Sequence, residues 1–231
     1  MPRLLLPRAL PPLRRIARWL VLTIALYYTA CFLGLIYLRF FPPLVTMVQI
    51  QRAIESPFVK GPYSHRSRWV DVDSLPRHVP HAVIAAEDGR FYEHRGFDWE
   101  ELDAARRQAE RRRRPLRGAS TITQQLVKNL FLTTHRSYVR KGIEYTLTPL
   151  AELILPKRRI LELYLNVVEW GPGVYGIDAA SHYHYRRPAR RLTREQAARL
   201  AAILPAPRRR VPNRMAGYAS VIQSRMRARG W

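Results

Sequence analysis

Apolar and polar positions follow one another along this chain in blocks that predict helices far more than strands. From Trp19 to Leu38 there are 20 residues without a charge, the length an α-helix needs to cross the hydrocarbon of a bilayer. Pro42-Pro43 ends that segment, because proline supplies no amide donor and restricts the residue before it. Leu44 to Ile50 is still apolar and is expected to lie along a membrane surface or against the folded domain. Residues 51–80 contain Pro57, Pro62, Pro76 and Pro80 and read as an irregular connector, with one strand expected at Trp69-Val70-Asp71-Val72. Ala82-Val83-Ile84-Ala85-Ala86 reads as the inner end of a buried helix. Asp98 with Glu101 predicts a helix N-cap, and Ser120 is expected to cap a helix with Ile122, Leu126 and Leu130 on its apolar face. Further helical stripes run through Ile143, Leu147 and Leu150, and through positions 160, 161, 164, 165 and 168. Thr193 and Gln196 predict a capping box for a helix through Leu204 that Pro205 stops. Three glycines between Trp170 and Gly176 mark a turn. No repeat occurs and no alternation is long enough for a large sheet, so the expected fold is mainly α.

Charge changes the picture. The 231 residues hold 40 basic against 17 acidic side chains, a net +23, which implies an anionic partner: nucleic acid, lipid headgroups or a phosphorylated substrate. Arg3, Arg8, Arg14, Arg15 and Arg18 precede the apolar segment with no acid among them, and only Arg39 follows it before Arg52. That asymmetry predicts a cytoplasmic N-terminus and an outer location for everything after about residue 40. Trp19, Tyr37, Phe40 and Phe41 stand at the segment ends, where amphipathic rings prefer the interface. A domain placed outside meets no genome, so nucleic acid drops out and anionic lipids or a pyrophosphate-linked lipid remain. Cys31 is the single cysteine, so no intrachain disulfide exists.

The candidate chemistry starts at Glu87-Asp88, two carboxylates closing an apolar helix. Burial of a carboxylate is costly unless it is paired, and it also raises the pKa toward that of a general base active near neutrality. Thr121, Gln124, Gln125 and Lys128 recur at helical spacing, a set that could hold sugar hydroxyls and phosphate oxygens. Arg140 and Glu144 are four apart and able to pair. The run Arg111 to Arg114 reads as a solvated segment within reach of lipid headgroups. His182 and His184, two apart, make no metal site by themselves.

Five ordered motifs carry a resemblance across about residues 66–210. They are Glu87-Asp88-x-x-Phe91-x-x-His94-x-Gly96, Gly118-x-Ser120-Thr121-Ile122-Thr123-Gln124-Gln125-x-x-Lys128-Asn129, Arg140-Lys141-x-x-Glu144, Lys157-x-x-Ile160-Leu161-Glu162-x-Tyr164-Leu165-Asn166, and Gly173-x-x-Gly176 continuing into Ala179-Ala180. The chain resembles the peptidoglycan glycosyltransferases, most closely the monofunctional membrane-anchored transglycosylases. The resemblance implies a mainly α, lysozyme-like glycosyltransferase domain with a small membrane-proximal lobe behind a single transmembrane helix. It divides the chain into a basic tail (1–18), the span (19–38), a connector (39–65) and the catalytic domain (66–231). It implies polymerisation of lipid II and the growing lipid-linked glycan into β-1,4 strands, with inversion and release of undecaprenyl pyrophosphate.

By the same resemblance Glu87 is the general base and Glu144 the second carboxylate, near the pyrophosphate or its metal. Lys128, Arg140 and Lys141 stabilise the leaving group, and Asp88, Phe91, Ser120, Thr121, Gln124, Gln125, Tyr164 and Asn166 belong to the substrate cleft. A divalent cation, Mg or Mn, is the expected cofactor, with no ligand set legible in the sequence. The expected location is the bacterial inner membrane with the domain periplasmic. Anionic lipids and cell-wall synthesis or division proteins are expected partners.

Of the 40 basic residues only four are lysines, and three of those fall inside the motifs, where a compact point charge suits phosphate. The chain departs from the pattern at Gly118-Ala119 and over Ser181-His182-Tyr183-His184-Tyr185-Arg186-Arg187. It lacks the Ser-x-x-Lys, Ser-Asp-Asn and Lys-Thr-Gly set of transpeptidases, so it is expected to polymerise glycan without cross-linking peptides. A membrane-tethered lysozyme-like hydrolase and a non-enzymatic cell-wall scaffold are the rival readings. The cationic motif residues speak against the first.

Overall fold

The computed structural model describes residues 11–58, 64–113 and 120–231. Arg3, Arg8, Pro62, Arg114, Gly118 and Ala119, all used above, lie outside them. The helices are α1 (Pro11–Phe40), α2 (Met47–Glu55), α3 (His78–Glu87), α4 (Trp99–Arg112), α5 (Ile122–Phe131), α6 (Tyr138–Ile154), α7 (Lys157–Val167), α8 (Ile177–Tyr185), α9 (Arg194–Ala201) and α10 (Ala216–Ala228). Three short strands, β1 (Arg66–Ser67), β2 (Glu169–Gly171) and β3 (Val174–Tyr175), form a sheet in the order β1-β3-β2. β1 runs parallel and β2 antiparallel to β3.

Two packing groups meet at the site. In one, α3 packs on α9 and α10, burying Val79, Ala82, Val83 and Ile84 against Ala198, Leu200, Ile222 and Met226. In the other, α5 is enclosed by α6, α7 and α2. Its stripe of Ile122, Leu126 and Leu130 is buried as expected, and α7 is buried nearly all round from Ile160 to Val167, so it forms the central element.

The expected span lies inside a longer helix. α1 has 30 residues, and the stretch Leu13–Phe40 is long and apolar enough to cross a membrane. Its second half is docked on the domain rather than free. Cys31, Leu35 and Leu38 are buried, and Gly34 allows Phe131 to approach so closely that an added Cβ would lie 3.2 Å from the ring. The Tyr27 hydroxyl donates to the Phe131 carbonyl (3.2 Å), and Tyr28 bonds Thr146 (2.6 Å).

Two arginines then cap helix ends reciprocally. Arg39 donates to the Ile154 carbonyl at the end of α6 (2.6 Å), and Arg159 donates to Leu38 and Phe41 at the end of α1 (2.8 and 2.7 Å). Cations at helix C-termini satisfy orphan carbonyls and suit the dipole. Leu44 is 92% exposed, Phe58 88% and Leu153 81%.

Several local expectations are corrected. The strand predicted at 69–72 is absent; pairing occurs at Arg66–Ser67, and Asp71 caps a 3₁₀ turn over Val72–Ser74 by accepting from the Asp73 amide. Thr121 rather than Ser120 caps α5, in a capping box with Gln124. The helix opened by Thr193 and Gln196 ends at Ala201, ahead of Leu204 and Pro205. Leu44 to Ile50 divides, Thr46 capping α2 through a box with Gln49. Asp98 caps α4 as expected, and Arg111 to Arg113 are exposed.

Candidate active site

The site forms where the C-terminus of α3 meets the first turns of α5 and the cationic start of α6. Glu87 is the last residue of α3 and keeps part of its surface open. Its Oε2 accepts from Gln125 Nε2 at 2.8 Å, and Gln125 Oε1 accepts from the Tyr164 hydroxyl at 2.9 Å. This relay fixes the amide orientation: one end receives the phenol proton and the other donates to the carboxylate. Burial raises the Glu87 carboxyl above its ordinary value, against the lowering pull of Gln125, Lys128 and Arg210. Tyr164 is fully buried and pushed well above the usual phenol range by desolvation and by Glu87 and Asp88, so its hydroxyl stays a donor.

Asp88 turns the other way. Its Oδ2 accepts from the Ile122 amide (2.9 Å), an acid at the N-terminus of α5, and its Oδ1 meets His94 Nε2 (2.9 Å). Phe91 is fully buried beneath the loop. The two adjacent carboxylates therefore do different work: Glu87 faces the opening and Asp88 ties the loop to α5.

Lys128 lies one turn beyond Gln125 and forms a cationic group with Arg140 and Lys141. Desolvation lowers the Lys128 ammonium below its usual value, with Arg140 and Lys141 adding to the effect and Glu144 and Glu87 opposing it. Glu144, 3% exposed, takes Arg140 Nη1 on Oε2 at 2.7 Å and Lys141 Nζ on Oε1. The expected Arg140–Glu144 pair is present, and it holds Arg140 and Lys141 side by side. Lys141 also reaches Ser120 Oγ at 3.4 Å. Three cations against the two carboxylates Glu144 and Glu87 leave a net positive, anion-seeking cluster.

Not every expected cleft residue faces substrate. Thr121 and Gln124 are buried and bonded to one another in the capping box, with Thr121 Oγ1 also donating to the Gly96 carbonyl at 2.7 Å. Asn166 is buried between the Val70 backbone and the Glu162 carbonyl. These side chains shape the cleft through the backbone they hold.

The carboxylates near the site make poor ligands for a resident cation. Both oxygens of Glu144 already carry cations. Asp88, His94 and Asp98 lie close together, yet Asp88 uses both oxygens, Asp98 Oδ1 caps α4, and Arg90 Nε stands 3.8 Å from Asp98 Oδ2. A divalent ion there would displace a helix cap and face an arginine.

The model of the transglycosylase family matches residues 55–229. The chain belongs to that family. Relatives named biosynthetic peptidoglycan transglycosylase come from Azoarcus sp. (49% identical, covering 70% of this chain and 71% of the relative) and Bordetella pertussis (52%, covering 65% and 64%). A third, from Aromatoleum aromaticum, is 42% identical over 92% of this chain and 94% of its own. The mainly α, lysozyme-like fold expected of such a transglycosylase is the one described above.

Sequence reading missed three participants in this transglycosylase. Arg210 acts on Glu87 electrostatically from the turn after α9, where its Nη1 donates to the Ala202 carbonyl at 2.9 Å; as the third of three arginines it carries no signal of its own. Arg39 and Arg159, which tie the membrane helix to the domain, look in sequence like ordinary basic flanks.

Proposed function

We propose that this transglycosylase polymerises lipid II into β-1,4-linked glycan, with Glu87 as general base. Glu87 takes the proton of the acceptor 4-hydroxyl; that oxygen attacks the anomeric carbon of the lipid-linked chain, and undecaprenyl pyrophosphate departs with inversion. The leaving group is already anionic, so it needs charge stabilisation more than a proton; Lys128, Arg140 and Lys141 supply it, and Glu144 keeps the last two aligned. Gln125, aimed by Tyr164, orients the base, and Ser120 lines the donor side beside Lys141. We assign the expected Mg or Mn to the substrate pyrophosphate rather than to the protein.

One observation carries the choice against a hydrolase. Glycan cleavage of lysozyme type works with a pair of carboxylates and has no pyrophosphate to hold, whereas here Lys128, Arg140 and Lys141 gather beside Glu87 and Glu144. The location that fits is the outer face of the bacterial inner membrane, N-terminus inside. We take the catalytic domain as 66–231 and the connector before it as 39–65. Anionic lipids and cell-wall synthesis or division proteins are proposed partners.

The test is incubation of detergent-solubilised full chain with lipid II and a divalent ion, products resolved by gel. Wild type yields lysozyme-sensitive polymer, and Glu87→Gln slows it by about 10²–10⁴-fold, the usual worth of a general base. Equal polymer from both removes Glu87 as base. Shortening of preformed glycan without synthesis restores the hydrolase reading.

A further inference from the structure

The first turn of α7 carries Lys157, Arg158 and Arg159 in succession with no acid. Cations at a helix N-terminus oppose the dipole, so the placement calls for partners on other elements. Arg158 pairs with Asp71 and Asp73 at the surface, and Arg159 with α1 and Glu162. Lys157 turns inward. Its side chain is 21% exposed, with Nζ 2.7 Å from Glu152 Oε1 and 4.4 Å from the Phe91 ring centroid.

The same Glu152 oxygen accepts from Thr123 Oγ1 at 2.5 Å. Thr123 is two residues from Gln125, which orients Glu87, and Phe91 is four residues beyond Glu87. At the far end of that loop, Gly96 packs so tightly that an added Cβ would lie 3.2 Å from Glu152 Cγ. One ion pair thus touches the loop leaving the base, the turn that holds the base, and α7.

We propose that Lys157 and Glu152 are a positioning pair for Glu87, acting through Phe91 and Thr123 and not through substrate. Lys157 is a motif lysine, and motif lysines invite the reading of a phosphate ligand. Here the ammonium is already occupied by a carboxylate and an aromatic face, a cation–π contact that strengthens when desolvated. Removing the cation leaves Glu152 without its counter-charge and takes the support from under Phe91. Displacements of about 1 Å in a positioned group cost up to about 10²-fold in rate.

The test rests on the polymerase reading for its kinetics and adds a readout free of it. Full-length Lys157→Met, Lys157→Arg, Glu152→Gln and, as a surface control, Arg158→Gln are compared in detergent for lipid II polymerisation and for hydrogen exchange over residues 88–97. Lys157→Met is expected to lower kcat by about 10–100-fold with KM within about twofold, and to raise exchange in the loop. Lys157→Arg restores most of kcat, since a guanidinium also serves carboxylate and ring, and Arg158→Gln changes neither readout. A raised KM with kcat intact makes Lys157 a substrate ligand and overturns the proposal, as does full activity with unchanged exchange in Glu152→Gln. An inactive wild type refutes the polymerase alone; loop exchange then decides the pair, unchanged exchange overturning it. An unfolded Lys157→Met leaves the decision to Lys157→Arg and Glu152→Gln by the same criteria.

Discussion

Gly96→Ala is the substitution that most directly strains the loop following Glu87. Gly96 has φ +89°, and a Cβ built there would stand 2.7 Å from Thr148 Cγ2 and 3.2 Å from Glu152 Cγ. Two costs combine. An L-residue in the left-handed region costs about 1–2 kcal/mol, and forcing a methyl into a packed site costs about 1–3 kcal/mol. Thr148 has little freedom to yield: it is β-branched, fully buried, and its Oγ1 donates to the Glu144 carbonyl at 2.6 Å. The sum, about 2–5 kcal/mol, converts to a fall of about 4–20 °C in Tm at about 2–4 °C per kcal/mol for a chain of this size.

The assay is thermal unfolding in detergent followed by tryptophan fluorescence, with Thr148→Ser as the second arm of a double-mutant cycle. Serine keeps the hydroxyl bond and deletes only Cγ2, so the double variant recovers the clash and not the backbone strain, about 1–3 kcal/mol. A Tm for Gly96→Ala within about 2 °C of wild type refutes the packing reasoning. Strictly additive effects of the two substitutions show that Thr148 is not the obstacle.

Other outcomes follow from the same geometry. Because burial raises the Glu87 carboxyl, the acid limb of kcat/KM lies above the ordinary carboxylate range, and Gln125→Leu, which removes a bond that lowers it, moves the limb further up; a limb that falls sinks the assignment. The folded chain holds that proton more tightly than the unfolded one, so stability declines as pH rises from the unfolded to the folded value; Glu87→Gln abolishes the decline, which unfolding at a series of pH values checks. Arg159→Met leaves the buried Glu162, now paired at 2.6 Å, without its cation, an expected loss of about 3–5 kcal/mol; a variant as stable as wild type denies the clasp its weight. Chelation with EDTA leaves Tm unchanged whatever it does to rate, and a drop of several degrees reveals a resident ion.

Much of this arrangement was legible in the residues. The stripes at 122/126/130 and along α7 run at helical period, and their burial follows from it. The pairing of Arg140 with Glu144 follows from a spacing of four. What the sequence concealed depended on choices between equivalent donors and on tertiary meeting points. Ser120 and Thr121 both offer capping hydroxyls; the glutamine three residues after Thr121 decides in favour of the threonine. Trp69 to Val72 alternates like a strand, but Asp71 is better satisfied by its own turn than by a ladder. The inward course of Lys157 and the reach of Arg210 toward Glu87 join residues 66 and 123 positions apart in sequence, and no local pattern announces such meetings.

The seat of α1 on the domain makes the membrane segment a strut and not a leash. A flexible tether would let the catalytic cleft sample a range of heights and tilts over the bilayer. With Tyr27, Gly34, Arg39 and Arg159 gripping both sides of the junction, height and tilt are inherited from the helix itself. Tyr27 is 11 residues before Leu38, about 16 Å along the axis at 1.5 Å per residue, roughly half the hydrocarbon thickness. Because the domain covers Cys31, Leu35 and Leu38 on one face of that stretch, lipid does not wrap this part of the helix on all sides. For a substrate that is itself linked to a lipid of the same bilayer, the search becomes two-dimensional.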